Sequence, residues 1–252
     1  MGKLLCEIKH YWSNRAQGYS RVNQDELGSE QKTKWLNALC EFFPDREPGQ
    51  VKVLDVGTGP GFFAIILAEQ GYQVTAVDCT EEMLTEARRN AGELAEKINW
   101  MKMDAQHLDL AEAQFDVVVT RNLTWVLEEP DLAYREWYRV LKKGGVLLNS
   151  DANWYRYLYD ETLREGYLND RKNTKEAQVE DLYEGTDIEA MERIACQVPL
   201  TPVMRPSWDL DIMKQTGFER YEADENFGER VLSEMEKING QSTPVFLVHG
   251  VK

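Results

Sequence analysis

The stretch VKVLDVGTGPG, residues 51–61, limits what this chain can fold into more than any other. Residues 51–56 are rich in Val and Leu and lie between turn signals, Pro48-Gly49 before and Gly57 after, which predicts a short buried strand. Gly57, Gly59 and Gly61 then let the backbone turn tightly into an apolar-striped helix over 62–70, broken by Gly71. A Cβ in that turn would block left-handed backbone angles and the close approach of a ligand. Strand, glycine turn and helix make half of a βαβ unit, whose ligand site lies beyond the carboxyl end of the strand.

Spacing separates two ligand classes. A dinucleotide fingerprint, G-x-G-x-x-G, needs its third glycine at 62, where this chain has Phe62. The chain instead reads G-x-G-x-G, preceded by Asp55 within the strand. In this it resembles the class I S-adenosylmethionine-dependent methyltransferases, whose first motif is an acidic residue followed by that pattern. A glycine turn without a ligand is the plain alternative. A nicotinamide oxidoreductase would have to seat its diphosphate beside Phe62.

With 252 residues and 42% hydrophobic content, the chain can bury a sizeable core as one large domain, or as a core with a smaller cap. It has no apolar run near the length of a membrane span, and MGKLLCEIKHYW lacks a long apolar segment with a cleavage site, so a cytoplasmic location is expected. A formal charge of −15 repels phosphate backbones and disfavours a nucleic-acid partner. Cys6, Cys40, Cys79 and Cys196 are scattered, and His10, His107 and His249 form no cluster with them, so no metal site is expected. The expected partner is a small molecule, with the protein acting as a monomer or homodimer at no membrane.

Residues 8–22 place Tyr11, Trp12, Arg15 and Tyr19 at helical spacings. They read either as an aromatic-packed N-terminal helix or, by resemblance to the W-x-x-x-A-x-x-Y-like segment of many small-molecule methyltransferases, as a helix folded over the cofactor. The resemblance puts Tyr11 and Arg15 nearest the methionine carboxylate, and a guanidinium fork suits that group. A core helix follows Ser29 and stops before Pro44. A second strand, 72–77, ends in Asp78, about twenty positions after Gly57, where an acidic side chain can accept both ribose hydroxyls. A helix-capping role is the other reading of Asp78, and Thr80 could take that role instead. Thr58 in the turn, and Cys79 and Met83 beyond Asp78, complete this group of expected cofactor contacts. A helix is expected over 81–97.

A third strand, 98–103, delivers Asp104 and Ala105. In the resembled family an acidic residue there accepts the adenine amine and the next backbone N–H reaches a ring nitrogen; an exocyclic amine only donates, so a carboxylate suits it. His107 is a candidate base, because imidazole titrates near neutrality, or a structural histidine. The fourth strand, 115–120, brings Arg121 and Asn122 into the cleft beside the expected methyl group, as candidates to bind an acceptor carboxylate or amine; a small amphipathic acceptor with an anionic or carbonyl group gripped by Arg121 is expected, and Arg121 also counts as a cofactor contact. Trp125 is either a wall of the acceptor site or core. A helix over 132–141 and the phrase REWYRVLKKGGVLL resemble the family's late R-V-L-K-P-G-G motif, with Lys143 in place of the usual proline. A turn at 142–145 and a fifth strand at 146–149 follow.

Residues 151–206 are too many for an ordinary crossover. Their aromatic first half, with Trp154, Tyr155 and Tyr157, predicts a helical lid that encloses the acceptor; a structural decoration is the alternative. A helix after Ser207, a strand at 218–223, a helix or loop at 227–238 and a strand at 245–250 match the hairpin that closes the seven-stranded methyltransferase sheet. The expected fold is α/β: a Rossmann-like seven-stranded mixed sheet with helices on both faces plus a helical lid. Residues 1–150 form the cofactor core, 151–206 the lid and 207–252 the last part of the sheet. The resemblance covers 11–150 well and the last part loosely, closest in flavour to the ubiquinone/menaquinone-biosynthesis-type small-molecule enzymes. It implies in-line methyl transfer from S-adenosylmethionine, yielding S-adenosylhomocysteine. A protein methyltransferase and a non-catalytic S-adenosylmethionine binder are the alternatives.

Overall fold

The computed structural model describes residues 2–252. In chain order the elements are α1 (Lys3–Leu27), α2 (Gln31–Cys40), β1 (Lys52–Val56), α3 (Phe62–Glu69), β2 (Gln73–Asp78), α4 (Glu81–Ala91), β3 (Asn99–Lys102), β4 (Phe115–Arg121), α5 (Pro130–Val140) and β5 (Leu141–Asp151). They continue with α6 (Glu161–Ala177), α7 (Ile188–Ala195), α8 (Ser207–Thr216), β6 (Glu219–Asp224), α9 (Gly228–Val231), α10 (Glu234–Asn239) and β7 (Phe246–Val251). The strands form one 7-stranded sheet in the order β3-β2-β1-β4-β5-β7-β6. The first five strands run parallel, and β7 is antiparallel to both β5 and β6. The number of strands and their mixed direction are those expected of the sequence.

The central strands are apolar on both sides because both faces are covered. Val53, Val117 and Val119 point into a cluster with α3 and Trp35 of α2, whereas Leu54, Val56 and Val118 point into a second cluster with α5 and α8. α3 is buried along nearly its whole length, which explains its run FFAIILA. The strand order reverses between β1 and β4, so their carboxyl ends open a crevice there, as in other doubly wound sheets.

Three local expectations are corrected. The helix predicted over 81–97 ends at Ala91, because Gly92 takes φ +54 and the remainder winds as a 3-10 turn, Gly92–Lys97. Residues 142–145 are not a free turn but lie within β5, where a register shift between Phe115 and Val117 absorbs them. A Cβ on Gly145 would stand 2.9 Å from the Lys142 carbonyl, so the backbone fold there needs glycine and not the missing proline. The segment 227–238 divides into α9 and α10, the latter opened by a capping box between Ser233 and Glu236.

The insertion between β5 and α8 carries α6 and α7 and has its own apolar cluster. Met191, Ile194 and Val198 pack on Ile8 and Tyr11 of α1 and on Trp125 and Val126 after β4. Its two ends are pinned together, since Asn153 Nδ2 donates to the Arg205 carbonyl (2.9 Å) and Arg205 N–H donates back to Asn153 Oδ1 (2.9 Å).

Candidate active site

Two cavities open at the carboxyl ends of β1, β2 and β4. The first runs over the glycine turn and along the ends of β2 and β3. In the turn, Gly57, Gly59 and Gly61 take φ of +68, +53 and +94, which L side chains rarely adopt. A Cβ on Gly57 would also meet the Leu123 side chain at 2.8 Å, so Leu123 packs where only glycine leaves room. Asp55 ties the strand end to the helix start: its Oδ2 accepts from the Thr58 hydroxyl (2.6 Å) and from Ala64 N–H (3.0 Å), one of the free amides of the first turn of α3. Burial pushes its carboxyl up to about 7, against those two hydrogen bonds and with help from the Asp78 charge.

Asp78 is not the bare carboxylate that the sequence suggested. Thr80 stands at the start of α4 without capping it; its N–H and hydroxyl both donate to Asp78 Oδ1 (2.9 Å each), and Gly59 N–H donates to Oδ2 (3.0 Å). A carboxylate offers about four lone-pair sites, so Oδ2 keeps one for a ligand hydroxyl. Burial raises the Asp78 carboxyl above its usual range, and burial followed by the Asp78 charge pushes the neighbouring Cys79 thiol up to about 12. At the next strand end, Asp104 Oδ1 accepts from the backbone and side-chain amides of Gln106 (3.0 Å each). Asp104 Oδ2 has only His107 Nδ1 near it among the described residues, at 3.8 Å.

The first cavity thus brings together Asp55, Gly57, Thr58 and Gly59 with Asp78, Cys79, Met83, Asp104 and Ala105, and includes Tyr19, Arg121 and Asn122. Gly61 stands behind the turn, where a Cβ would meet Ala87 at 3.0 Å. α1 covers the cleft with Leu5, Ile8 and Trp12 and leaves about 100 Å³ enclosed beneath it.

The second cavity, about 450 Å³, meets the first at Tyr19, Arg121 and Asn122. Arg15, Tyr19, Val22 and Glu26 of α1 face it at i, i+4, i+7 and i+11, one stripe of a helix. Trp35, Trp154, Tyr183 and Glu236 form other parts of its wall.

Seven expected site residues stand elsewhere or act otherwise. Arg121 presents no free fork: its two terminal nitrogens donate to Glu26 (3.2 and 2.5 Å), and its guanidinium lies 4.5 Å over the Trp35 ring. Burial opposes that charge, but Glu26 overrides it and holds the guanidinium's pKa above its ordinary value. His107 has a side chain 64% exposed and lines neither cavity. Tyr11 is buried between α1 and the insertion, and Trp125 stacks on Tyr155 there at 5.2 Å. Tyr157 stacks on Tyr167 at 4.3 Å and donates to Glu192, inside the insertion. Of the expected acceptor wall only Trp154 faces a cavity, while Arg15 faces the second cavity and not the first. Asn122 holds its place with φ +54, its carbonyl accepting from the Trp125 indole (3.1 Å).

Sequence reasoning missed Glu26 and Gln106. Glu26 carried a signal: it is the acidic member of the Arg15–Tyr19–Val22 stripe. The buried group around Arg205 was also missed. Arg205 donates to Asp151 (2.5 Å) and to Asp209 (2.6 and 2.8 Å), and Asp209 also accepts from the Tyr134 hydroxyl (2.7 Å). Through its other bond, Asp151 Oδ2 accepts from Trp125 N–H (3.0 Å) and fixes the loop after β4.

Fold and glycine-turn site are similar to those of the class I S-adenosylmethionine-dependent methyltransferases. Residues 54–149 match the family described as Methyltransferase domain. The chain is 38% identical over 122 residues to the ubiquinone/menaquinone biosynthesis C-methyltransferase UbiE of Cereibacter sphaeroides, covering 45% of this chain and 46% of that protein. It is 38% identical over 119 residues to the malonyl-acyl-carrier-protein O-methyltransferase of Enterobacter lignolyticus, 47% of this chain and 45% of that one. It therefore spans about half the length of these curated relatives. Its fold is similar to phosphoethanolamine N-methyltransferase 2 of Haemonchus contortus, solved with S-adenosyl-L-methionine, at TM-score 0.59 and 19% identity, covering 86% of this chain and 51% of that one.

Proposed function

We propose that this chain transfers a methyl group from S-adenosylmethionine to a small-molecule acceptor, with the cofactor in the first cavity and the acceptor in the second. The observation that carries this reading is the junction: two cavities of different character meet at Tyr19, Arg121 and Asn122. The donor set fits the cofactor. Asp55 and Asp78 are both buried beside the glycine turn, and among the described residues no basic side chain is bonded to either. Asp78 Oδ2 would take a ribose hydroxyl and Asp104 Oδ2 the adenine amine. The methionine end would lie toward the junction, at Tyr19 and Asn122.

When bound, the cofactor supplies an electrophilic methyl on sulfur. What the chain supplies is alignment: the acceptor wall fixes the nucleophile in line with that bond, and α1 and the insertion exclude water. Among the described residues no three His, Cys, Asp or Glu side chains converge as metal ligands. The relatives' printed names span carbon, oxygen and nitrogen acceptors, so they do not choose the atom methylated here.

The test is incubation with methyl-labelled S-adenosylmethionine and a metabolite extract. Label should enter the low-molecular-mass fraction as S-adenosylhomocysteine accumulates. Label found only in protein would favour the protein-methyltransferase reading, and no transfer to any fraction would leave a binder without chemistry.

A further inference from the structure

The second cavity has a charge pattern that the expected anionic acceptor does not fit. Arg121, the cation that was to grip such an acceptor, is already bonded to Glu26. Glu236 lies close enough to add to the field that holds Arg121 charged, so this end of the cavity sets two carboxylates against one guanidinium. Lys237, the other basic side chain at that end, is 3.1 Å from both Glu229 and Glu234 and is likewise committed. Glu236 itself receives only hydrogen bonds, from Ser233 N–H and hydroxyl (2.8 Å each) and from the Gln31 amide, all on Oε2. Its Oε1 has no bonded partner among the described residues. Arg15, the remaining cation of the wall, sits eleven residues before Glu26 on α1, about 16 Å away along the helix axis.

The walls between are rings. Trp35, Trp154, Tyr19 and Tyr183 line the cavity; Arg121 already stacks on Trp35 and Arg171 on Tyr183, whereas no cation of the described residues stacks on Trp154. Aromatic faces beside an unneutralised carboxylate attract a positive nitrogen by the ring quadrupole and by charge together. A carboxylate ligand would meet Glu26 and Glu236 and no uncommitted cation at that end.

We infer that the second cavity takes a small organic amine, with Glu236 as counter-ion of its ammonium group and Trp154 and Tyr183 against its apolar part. This rests on the reading of the second cavity as the acceptor site, and it replaces the anionic acceptor that the sequence suggested. The clean variant is Glu236→Gln. Glutamine keeps the capping box with Ser233, so α10 retains its N-terminus while the charge is removed.

The experiment is calorimetric titration of the full chain, saturated with S-adenosylhomocysteine, using phenethylamine and tryptamine as amine probes and 3-phenylpropionate as the matched acid. The amines should bind at least tenfold more tightly than the acid. Glu236→Gln should lose at least tenfold in amine affinity while its S-adenosylhomocysteine affinity is unchanged. Equal or tighter binding of the acid, an unaltered amine affinity in Glu236→Gln, or binding of neither amine would overturn the inference. If S-adenosylhomocysteine itself does not bind, the methyltransfer reading fails separately, and the same titrations on the unliganded chain still decide the chemistry of the cavity.

Discussion

Asp55 shows how a single side chain can serve the fold and the site at a cost. It accepts two hydrogen bonds that join β1 to α3, and it does so fully buried beside Asp78. Because burial raises its folded-state pKa from 3.8 to about 7, the folded chain holds a proton there more tightly than the unfolded chain does. Linkage then fixes the sign: this contribution to stability is present at low pH, declines as pH rises from about 4 to about 7, and is flat above that. Asp55→Asn offers one oxygen for both hydrogen bonds and carries no charge. Its urea midpoint should therefore depend less steeply on pH across that window than the parent's; an unchanged slope would show that Asp55 is charged in the fold at little cost. The residue types of the cofactor cleft were legible because spacing and backbone need select them: glycines at positive φ and carboxylates at strand ends. What Arg121 does was not legible. Its partner Glu26 is distant in the chain, and only the path of α1 brings the two together.

Elements were legible where one period ran without interruption, as in β1, β4 and α3. α1 was read as 8–22 yet spans Lys3–Leu27, since it runs through Gly18 to Gly28 and its flanks are held by packing rather than by a strong stripe of their own. The insertion was read as a lid because it is aromatic. Tyr157 and Tyr167 instead stack on each other within it and Tyr155 packs on Trp125, and a sequence cannot say which side of a helix pair meets a cavity. What holds the insertion in place is the Arg205 group, joining the end of β5 to α8 and, through Tyr134, to α5. Arg205 and both its carboxylate partners are almost wholly buried. Removing the guanidinium leaves two uncompensated acids in the core, so Arg205→Met should cost about 3–5 kcal/mol of unfolding free energy. Chemical denaturation measures it; a loss under about 1 kcal/mol would mean that Asp151 and Asp209 accept protons and repack without penalty.

At the scale of the whole molecule, two sheet faces, a reversed strand order between β1 and β4, and one long helix across the crevice generate both cavities. α1 matters most, because one stripe of it faces the glycine-turn cleft and another faces the second cavity. Because α1 borders both, cofactor binding in the first should be felt in the second. The central claim is that the glycine-turn cleft is an S-adenosylmethionine site whose ribose is read by Asp78. Calorimetric titration with S-adenosylhomocysteine and with its 2′,3′-dideoxy analogue tests it without disturbing the hydrogen bonds that Asp78 makes to Gly59 and Thr80. A charge-assisted bond is worth about 1.5–3 kcal/mol, or roughly 10–100-fold in affinity. The account predicts one S-adenosylhomocysteine bound per chain and at least tenfold weaker binding of the analogue; absence of binding, or equal affinity for the two ligands, would contradict it.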